Sequence, residues 1–172
     1  MNIKEAICKR RSVRGFTGKK IPVEIINELV EYANLAPSAG NLQARDFIIV
    51  DDSDVKKQLA AAALNQVFIS EAPVNIVVCA NLERIKPYGR RGRELYAIQD
   101  SAAAVEHILL LAASYNLGTC WVGAFNEEEV ADILKLPSYV KPVAIIPIGY
   151  PKGDAEKTSR INPRSLMHYN QW

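Results

Sequence analysis

Apolar residues recur along 93–117 at helical spacing, and this stretch predicts the long helix around which the chain is organised. Alanine and leucine dominate it and no proline interrupts it. Gly118 follows directly, as a left-handed C-terminal stop would require. At the α-helical rise the stretch would run roughly 37 Å, close to the ~40 Å breadth of a compact chain of this length. Ile98, Ala102, Val105, Leu109 and Ala112 fall on one line, and Ala104, Ile108, Leu111 and Tyr115 on a second beside it. Gln99, Glu106, His107 and Ser114 fill the remaining strip. Apolar positions thus cover more than half the circumference, where a surface helix needs a stripe of about 100°. One face suits the chain's own sheet. The other calls for a second partner, and a two-fold copy of the same chain is expected there. A bilayer is not expected, because Glu106 and His107 interrupt the run short of about 18 residues.

The rest of the pattern divides into shorter pieces. Residues 2–10 form a short helix with Ile3 and Ile7 on one side, followed by the basic turn RRSVRGFTGKKIP. Val23 to Leu35 has apolar residues at helical spacing, with Pro22 at its first turn and Pro37 forbidding continuation. PSAGN is a loop of small residues, and Phe47 to Val50 is a short strand closed by two aspartates. Ser53 is positioned to cap a helix over 54–64. NIVVCA (75–80) is continuously apolar and reads as a central strand, and the Gly- and Pro-containing 83–92 as a mobile loop. TCWVGAF (119–125) predicts a strand, Asn126 and Glu129 a capping box opening a helix to Leu136, and VAIIPIGY (143–150) the last strand. From Pro151 the chain is a polar, irregular tail. Strands separated by helices point to a helix–sheet–helix sandwich in one domain, 1–172, with 151–172 as an extended tail.

Composition adds mainly exclusions. A chain of 172 residues with 49% hydrophobic and 23% charged residues fits one globular domain with a substantial core. A net charge of +2 does not imply nucleic acid or membrane as partner, although basic residues cluster at 9–14 and 90–93. Cys8, Cys79 and Cys120 are odd in number and widely spaced, which suits buried thiols in a reducing compartment. No signal peptide is evident, so a cytoplasmic location is expected.

Chemistry-bearing motifs are few. There is no GxGxxG after a strand, no GxxxxGK phosphate loop and no HExxH. The two histidines, His107 and His168, sit far from any second candidate ligand, so neither a metal site nor a nucleophilic triad is expected. His107 reads as a core or interface residue and His168 as a surface residue of the tail. What remains are donors on loops. Arg10, Arg11, Ser12 and Arg14 place three guanidinium groups and a hydroxyl within five residues, which suits phosphate oxygens. The same cations would also complement the dipole of the preceding helix. Pro37-Ser38-Ala39-Gly40-Asn41-Leu42-Gln43 combines small side chains with two amides that both donate and accept. It suits a heterocycle edge or a polyol, although taken alone a plain helix-to-strand connection is the readier reading. In Trp121-Val122-Gly123-Ala124 a glycine at a strand end could present amides to a flat ligand.

These clusters, in this order, carry a resemblance. RRSVRGF, APSAGNLQ, RGRELYAIQDSAAAVEHILLLAA, LGTCWVGAF followed by PIGYP, and the ending HYNQW together resemble the nitroreductase family of FMN-dependent enzymes over essentially the whole chain. The resemblance implies an α+β, three-layer helix–sheet–helix sandwich with a mixed, mostly antiparallel central sheet. It also implies an intertwined homodimer with two FMN sites at the subunit interface. Arg10 and Ser12 would hold the FMN phosphate with Arg160 of the tail, Arg11 assisting through backbone or charge and Arg14 near the pyrimidine edge. Pro37, Ser38, Ala39, Asn41 and Gln43 would contact the ribityl chain and ring, partly across the interface, and Val122 and Gly123 would line the isoalloxazine.

The chemistry so implied is ping-pong transfer of hydride from NADH or NADPH, through flavin N5, to a nitroaromatic, quinone or similar small acceptor. It requires no catalytic acid or nucleophile from the protein. Ala44-Arg45 stand where the family often has Pro-Trp, and the chain lacks the extra helices that cover the flavin in longer members. The 83–92 segment, with Tyr88 and Arg90 or Arg91 toward the substrate, is the candidate cover. Same-fold dehalogenase or dehydrogenating-oxidase chemistry is the alternative. A flavin-free nucleic-acid-binding dimer is the remaining one.

Overall fold

Four strands and seven helices are arranged in three layers in the computed structural model, which describes residues 1–172. The sheet comprises β1 (Arg45–Val50), β2 (Val74–Asn81), β3 (Gly118–Thr119) and β4 (Val140–Gly149), in the order β1-β2-β4-β3. Every ladder is antiparallel, and the one parallel element is an isolated bridge between Ser12 and Thr119. Period-two alternation sends the strand side chains to two cores. Val74, Ile76 and Val78 of β2, with Ile146 and Ile148 of β4, face one helical layer. That layer holds α1 (Ile3–Lys9), α2 (Val23–Asn34) and α6 (Ala97–Ser114). Val77, Cys79 and Ile145 face the other, built from α3 (Ser53–Ala62), the short α4 (Phe68–Glu71) and α7 (Glu127–Ile133).

Local chemistry accounts for the element ends. Asn2 and Glu5 form a reciprocal capping box on α1. Asp52, rather than Ser53, caps α3: its carboxylate accepts from the amides of Asp54 and Val55, both at 2.9 Å, and these bonds lower its pKa. Asn126 caps α7 by accepting from Glu128 and Glu129, and Glu129 reaches back to its side-chain amide rather than its backbone. The left-handed stop after α6 falls on Asn116 (φ +58°), not Gly118. Leu117 then donates to the Ala112 carbonyl at 2.9 Å and Asn116 to Ala113 at 3.2 Å, satisfying orphan carbonyls of the last turn. Gly118 is needed for a different reason: a Cβ there would lie 2.7 Å from the Val13 side chain.

Two further expectations are corrected. The predicted strand 119–125 contracts to Gly118–Thr119 plus a bridge at Val122, because Cys120 donates to Pro147, which has no N–H to return. The predicted loop 83–92 is instead helical. A 3₁₀ turn (Lys86–Tyr88), the single turn α5 (Gly89–Arg91) and a π-helical turn (Gly92–Tyr96) lead directly into α6. By length and composition this run, Lys86–Ser114, is apolar enough to cross a bilayer despite Glu106 and His107; in this fold it is the core helix on the sheet.

Both predicted apolar lines of α6 are largely used by the chain itself, since Ala104, Val105, Ile108, Leu109 and Ala112 are all buried. The face left partly open runs through His107, Leu110, Leu111 and Ser114. With Ile3 and Tyr32 these residues line an apolar groove of about 340 Å³. His107 Nδ1 lies 2.9 Å from the Tyr32 carbonyl, and His168 is exposed in the tail.

A buried arginine fixes the segment joining α2 to β1. The Arg45 guanidinium donates to the carbonyls of Asn34 (2.9 Å), Ala36 (2.6 Å), Pro37 (3.2 Å) and, on α6, Asp100 (3.1 Å). Burial pulls its pKa down while the Asp100 carboxylate opposes that shift. Asp100 is itself buried, and its Oδ1 accepts the Ala39 amide at 2.9 Å. Replacing Arg45 with Met should leave four carbonyls without this donor and cost roughly 3–5 kcal/mol in chemical denaturation. It should also speed amide exchange over 36–43.

The thiols differ in kind. Cys8 is exposed, contrary to expectation, because the short α1 turns it away from both cores. Cys79 is fully buried, and that burial, helped by Asp46, pushes its pKa from an ordinary 9.0 up to about 12. A raised thiol pKa contributes stability below the unfolded value, lost as pH rises from 9.0 toward about 12. At pH ~8 Ellman's reagent should label Cys8 in the folded protein and Cys79 only on unfolding.

Candidate functional site

Three sequence clusters converge as two sites at opposite ends of α6. The first forms where α1 ends. Arg10 is the C-cap of that helix, and the following residues run beside β3, with the Val13 amide donating to Thr119 at 2.8 Å. The buried Val13 side chain anchors the segment, while Ser12 and Arg14 on either side remain exposed. Arg14 lies over the Phe68 ring, 6.0 Å from its centroid. Cys120, just after β3, lies close to the same arginines. Burial raises the Cys120 pKa, and the guanidinium groups of Arg14 and Arg10 partly offset the shift.

The tail returns to the same place. Pro151 bridges to Phe16, and Lys157, Thr158 and Arg160 then come beside Arg10 and Arg11 around a cleft of about 240 Å³. An adjoining cleft of about 430 Å³ reaches from Arg10 to Gly118, Thr119 and Asp154. None of Arg10, Arg11, Lys157 and Arg160 is paired with a carboxylate; the ion pairs all lie elsewhere. Arg11 donates to the Cys8 and Arg10 carbonyls, and Arg160 to Thr158 and Ser159. Four cations around a cleft that no carboxylate lines suit a multiply charged anion, with Asp154 only in the adjoining cleft.

Ser38–Gln43 forms the second site, at the N-terminal end of α6. Gly40 (φ +56°), Asn41 (φ +56°) and Gln43 (φ +47°) all take left-handed backbone conformations, costly for the two that are not glycine. The surroundings enforce this turn. Ser38 accepts the Gln43 amide on Oγ (3.0 Å) and the Asn41 amide on its carbonyl (3.0 Å), while Gln43 Nε2 donates to Asn41 Oδ1 at 2.9 Å. Arg84 braces the far side through the carbonyls of Gln43 (3.1 Å) and Arg45 (2.7 Å) and pairs with Asp46. Strained backbone so over-determined is characteristic of ligand-binding segments. Pro37 contributes its carbonyl to Arg45, and Ala39 its amide to Asp100.

Of the sequence-predicted residues, Arg10, Arg11 and Arg160 are brought together, and Ser12 and Arg14 flank them. Pro37, Ser38, Ala39, Asn41 and Gln43 form the second group, more than roughly 20 Å away along α6. Val122 differs from expectation. Its side chain is buried in the α3/α7 core, so only its backbone and the open side of Gly123 remain for a ligand. Sequence reading missed Arg45, Arg84 and Asp100. The signal available was a charged pair, Arg45-Asp46, opening an apolar strand.

The nitroreductase family model matches residues 7–72 and 61–150 of this chain. A protein of Archaeoglobus fulgidus with the provisional name NADH dehydrogenase/NAD(P)H nitroreductase is 33% identical over 174 residues, which cover 96% of each chain. The FMN reductase (NADPH) of Bacillus subtilis is 28% identical over 99% of this chain and 74% of its own. Among solved structures, NfrA2 of B. megaterium superposes with a TM-score of 0.93 at 28% identity, covering all of this chain and 76% of that one. Fold and relatives agree: the chain belongs to the nitroreductase family of NAD(P)H-dependent oxidoreductases.

Proposed function

We propose that the protein binds FMN between two copies of the chain and uses it to carry electrons from NADH or NADPH to a small acceptor. The observation that carries this reading is the carboxylate-free basket of Arg10, Arg11, Lys157 and Arg160. Its donor set fits a phosphomonoester: guanidinium forks for the oxygens, with the exposed Ser12 next to Arg11 in the chain as a further donor. Arg14 stands next in line to face the pyrimidine edge, where a cation favours an anionic reduced ring. Gly123 offers backbone without a side chain for a flat ligand.

The loop that would hold the ring and ribityl chain lies at the other end of α6. A two-fold partner resolves this separation by bringing Ser38, Asn41 and Gln43 of one copy to the basket of the other. The open groove beside Leu110 and Leu111, with the exposed Ile3, supplies an apolar surface for that partner. When bound, FMN supplies two-electron chemistry, alternating between NAD(P)H and an acceptor such as a quinone, a nitroaromatic or free flavin in one cavity. The chain's own part is to bind, orient and polarise. The pre-formed loop holds its amides in place before ligand arrives, and no side chain is required as acid, base or nucleophile.

Purified protein should be yellow and release FMN on acid denaturation. Arg10→Ala should lose about 10–100-fold in FMN affinity, the worth of a charge-assisted phosphate contact. A mixing experiment reads the shared site directly. In a mixed dimer of Arg10→Ala and Asn41→Ala chains, one site carries both changes and the other carries neither. Co-refolding the two variants should therefore restore tight FMN binding to one site per mixed dimer, measured by flavin fluorescence. Colourless protein that takes up no FMN would refute the proposal.

A further inference from the structure

Residues 83–94 carry five cations and two carboxylates, an excess of three in a chain whose total is only +2. Two of the five are turned to contacts outside this group: Arg84 braces the Ser38–Gln43 loop, and Arg91 donates to the Tyr96 hydroxyl at 3.0 Å. The other three, Lys86, Arg90 and Arg93, line a depression of about 470 Å³ together with Gly89 and Glu94, with no apolar residue in its wall. Their convergence is built into the backbone. Gly89 takes a left-handed conformation (φ +57°), and the π-helical turn follows at Gly92, packed so closely that a Cβ there would meet the Ile85 carbonyl at 2.9 Å. π-helical turns occur disproportionately at functional sites. Glu94 pairs with Arg90 (2.7 Å) and Glu83 with Lys86 (3.4 Å), whereas Arg93 has no acidic partner.

The depression adjoins the Ser38–Gln43 loop, which is one half of the proposed flavin site. Tyr88 rests on the Ser38–Gln43 loop so closely that a Cβ on Gly40 would lie 2.5 Å from the Tyr88 hydroxyl. Its ring also packs edge-on against Tyr96, 5.4 Å between centroids. The neighbouring Gly89 already lines the depression. Anything entering over that loop therefore passes three cations on a braced helical turn.

We infer that Lys86, Arg90 and Arg93 form a second phosphate subsite at the mouth of the cavity, one that recognises a phosphomonoester on an incoming substrate. The inference rests on the flavin reading of the cavity. A phosphomonoester dianion carries the charge and acceptor oxygens that an unpaired arginine beside a second arginine and a lysine can bind. Two substrates bring that group: NADPH, through its 2′-phosphate, and free FMN arriving as electron acceptor. NADH and riboflavin are the matching molecules without it.

The test compares kcat/KM of the holoenzyme for NADPH against NADH, and for free FMN against riboflavin, in wild type and Arg93→Ala. Binding of inorganic phosphate to both holoproteins, followed by calorimetry, reads the subsite without turnover. Arg93→Ala should weaken phosphate binding about tenfold and lower one of the two ratios about tenfold, the loss of one charge-assisted contact. Bound FMN content should not change. The pair whose ratio falls identifies the source of the phosphate. Added salt should erode the same wild-type preference, because the subsite is solvent-exposed. Unchanged ratios and unchanged phosphate binding in a protein that still carries FMN would overturn the subsite and leave the cavity intact. Failure of wild type to bind FMN would instead overturn the cavity and the inference resting on it.

Discussion

Packing of α6 along the sheet is the constraint on which the other features depend. Ala104, Val105, Ile108, Leu109 and Ala112 bury against β2 and β4, and this apolar seam fixes the helix as a rigid spacer. Each end of the spacer carries a polar assembly. At the N-terminal end, Asp100 holds the Ala39 amide; at the C-terminal end, Asn116 turns the chain into Gly118 and Thr119, which Val13 packs upon. The hydrophobic core therefore sets how far apart the two halves of the site lie. A mutation that shortened α6 would change that separation.

The second constraint is polar satisfaction. The loop after α2 turns sharply because Pro37 ends the helix, and its carbonyls at Asn34, Ala36 and Pro37 would be left without helical donors. Arg45 supplies all three from one planar guanidinium and adds the Asp100 carbonyl. A lysine, with one ammonium point, could not span carbonyls so widely distributed. Left-handed Asn41 and Gln43 persist because this frame, with Arg84 on the far side, leaves the loop few alternatives. The same frame accounts for the Ala44-Arg45 sequence where Pro-Trp is frequent in the family. The arginine here is a structural keystone rather than a loss of the motif.

Much of this was legible in the sequence, and the reasons differ by element. β2 could be read because NIVVCA is buried on both faces, so continuous apolarity suffices. The span of α6 followed from composition, but the location of its open face did not. The 3.6 period treats all apolar lines alike, whereas the placement of α1 and Tyr32 leaves Leu111, a member of one of those lines, open with Leu110 beside the polar His107 and Ser114. The arginine cluster at 10–14 was visible because its members are adjacent in sequence. Arg45, Arg84 and Asp100 act only through segments up to 61 positions away, and no local pattern encodes such a convergence. Residues 83–92 were misread because two glycines and a proline suggest a loop, while Gly89 and Gly92 serve to tighten a helical turn.

The distribution of acidic groups makes the final distinction between a solvated basic surface and a binding surface. Exposed cations are ordinarily interspersed with carboxylates, and the helices of this protein follow that rule, as in Lys57 with Asp54 and Lys141 with Glu127. Cations without a carboxylate partner stand singly elsewhere, as at Lys19 and Lys135, but the Arg10–Arg160 basket and Arg93 are the ones that line clefts beside further cations. Uncompensated like charges repel at short range, so their retention in a chain of net charge +2 is destabilising unless an anion offsets them. The first lies where the proposed cofactor phosphate would sit, and the second beside the turn on which Tyr88 meets the Ser38–Gln43 loop. Both positions follow from how the tail and the 83–94 turns fold back onto the two ends of α6, so the fold itself sets where anions are drawn in.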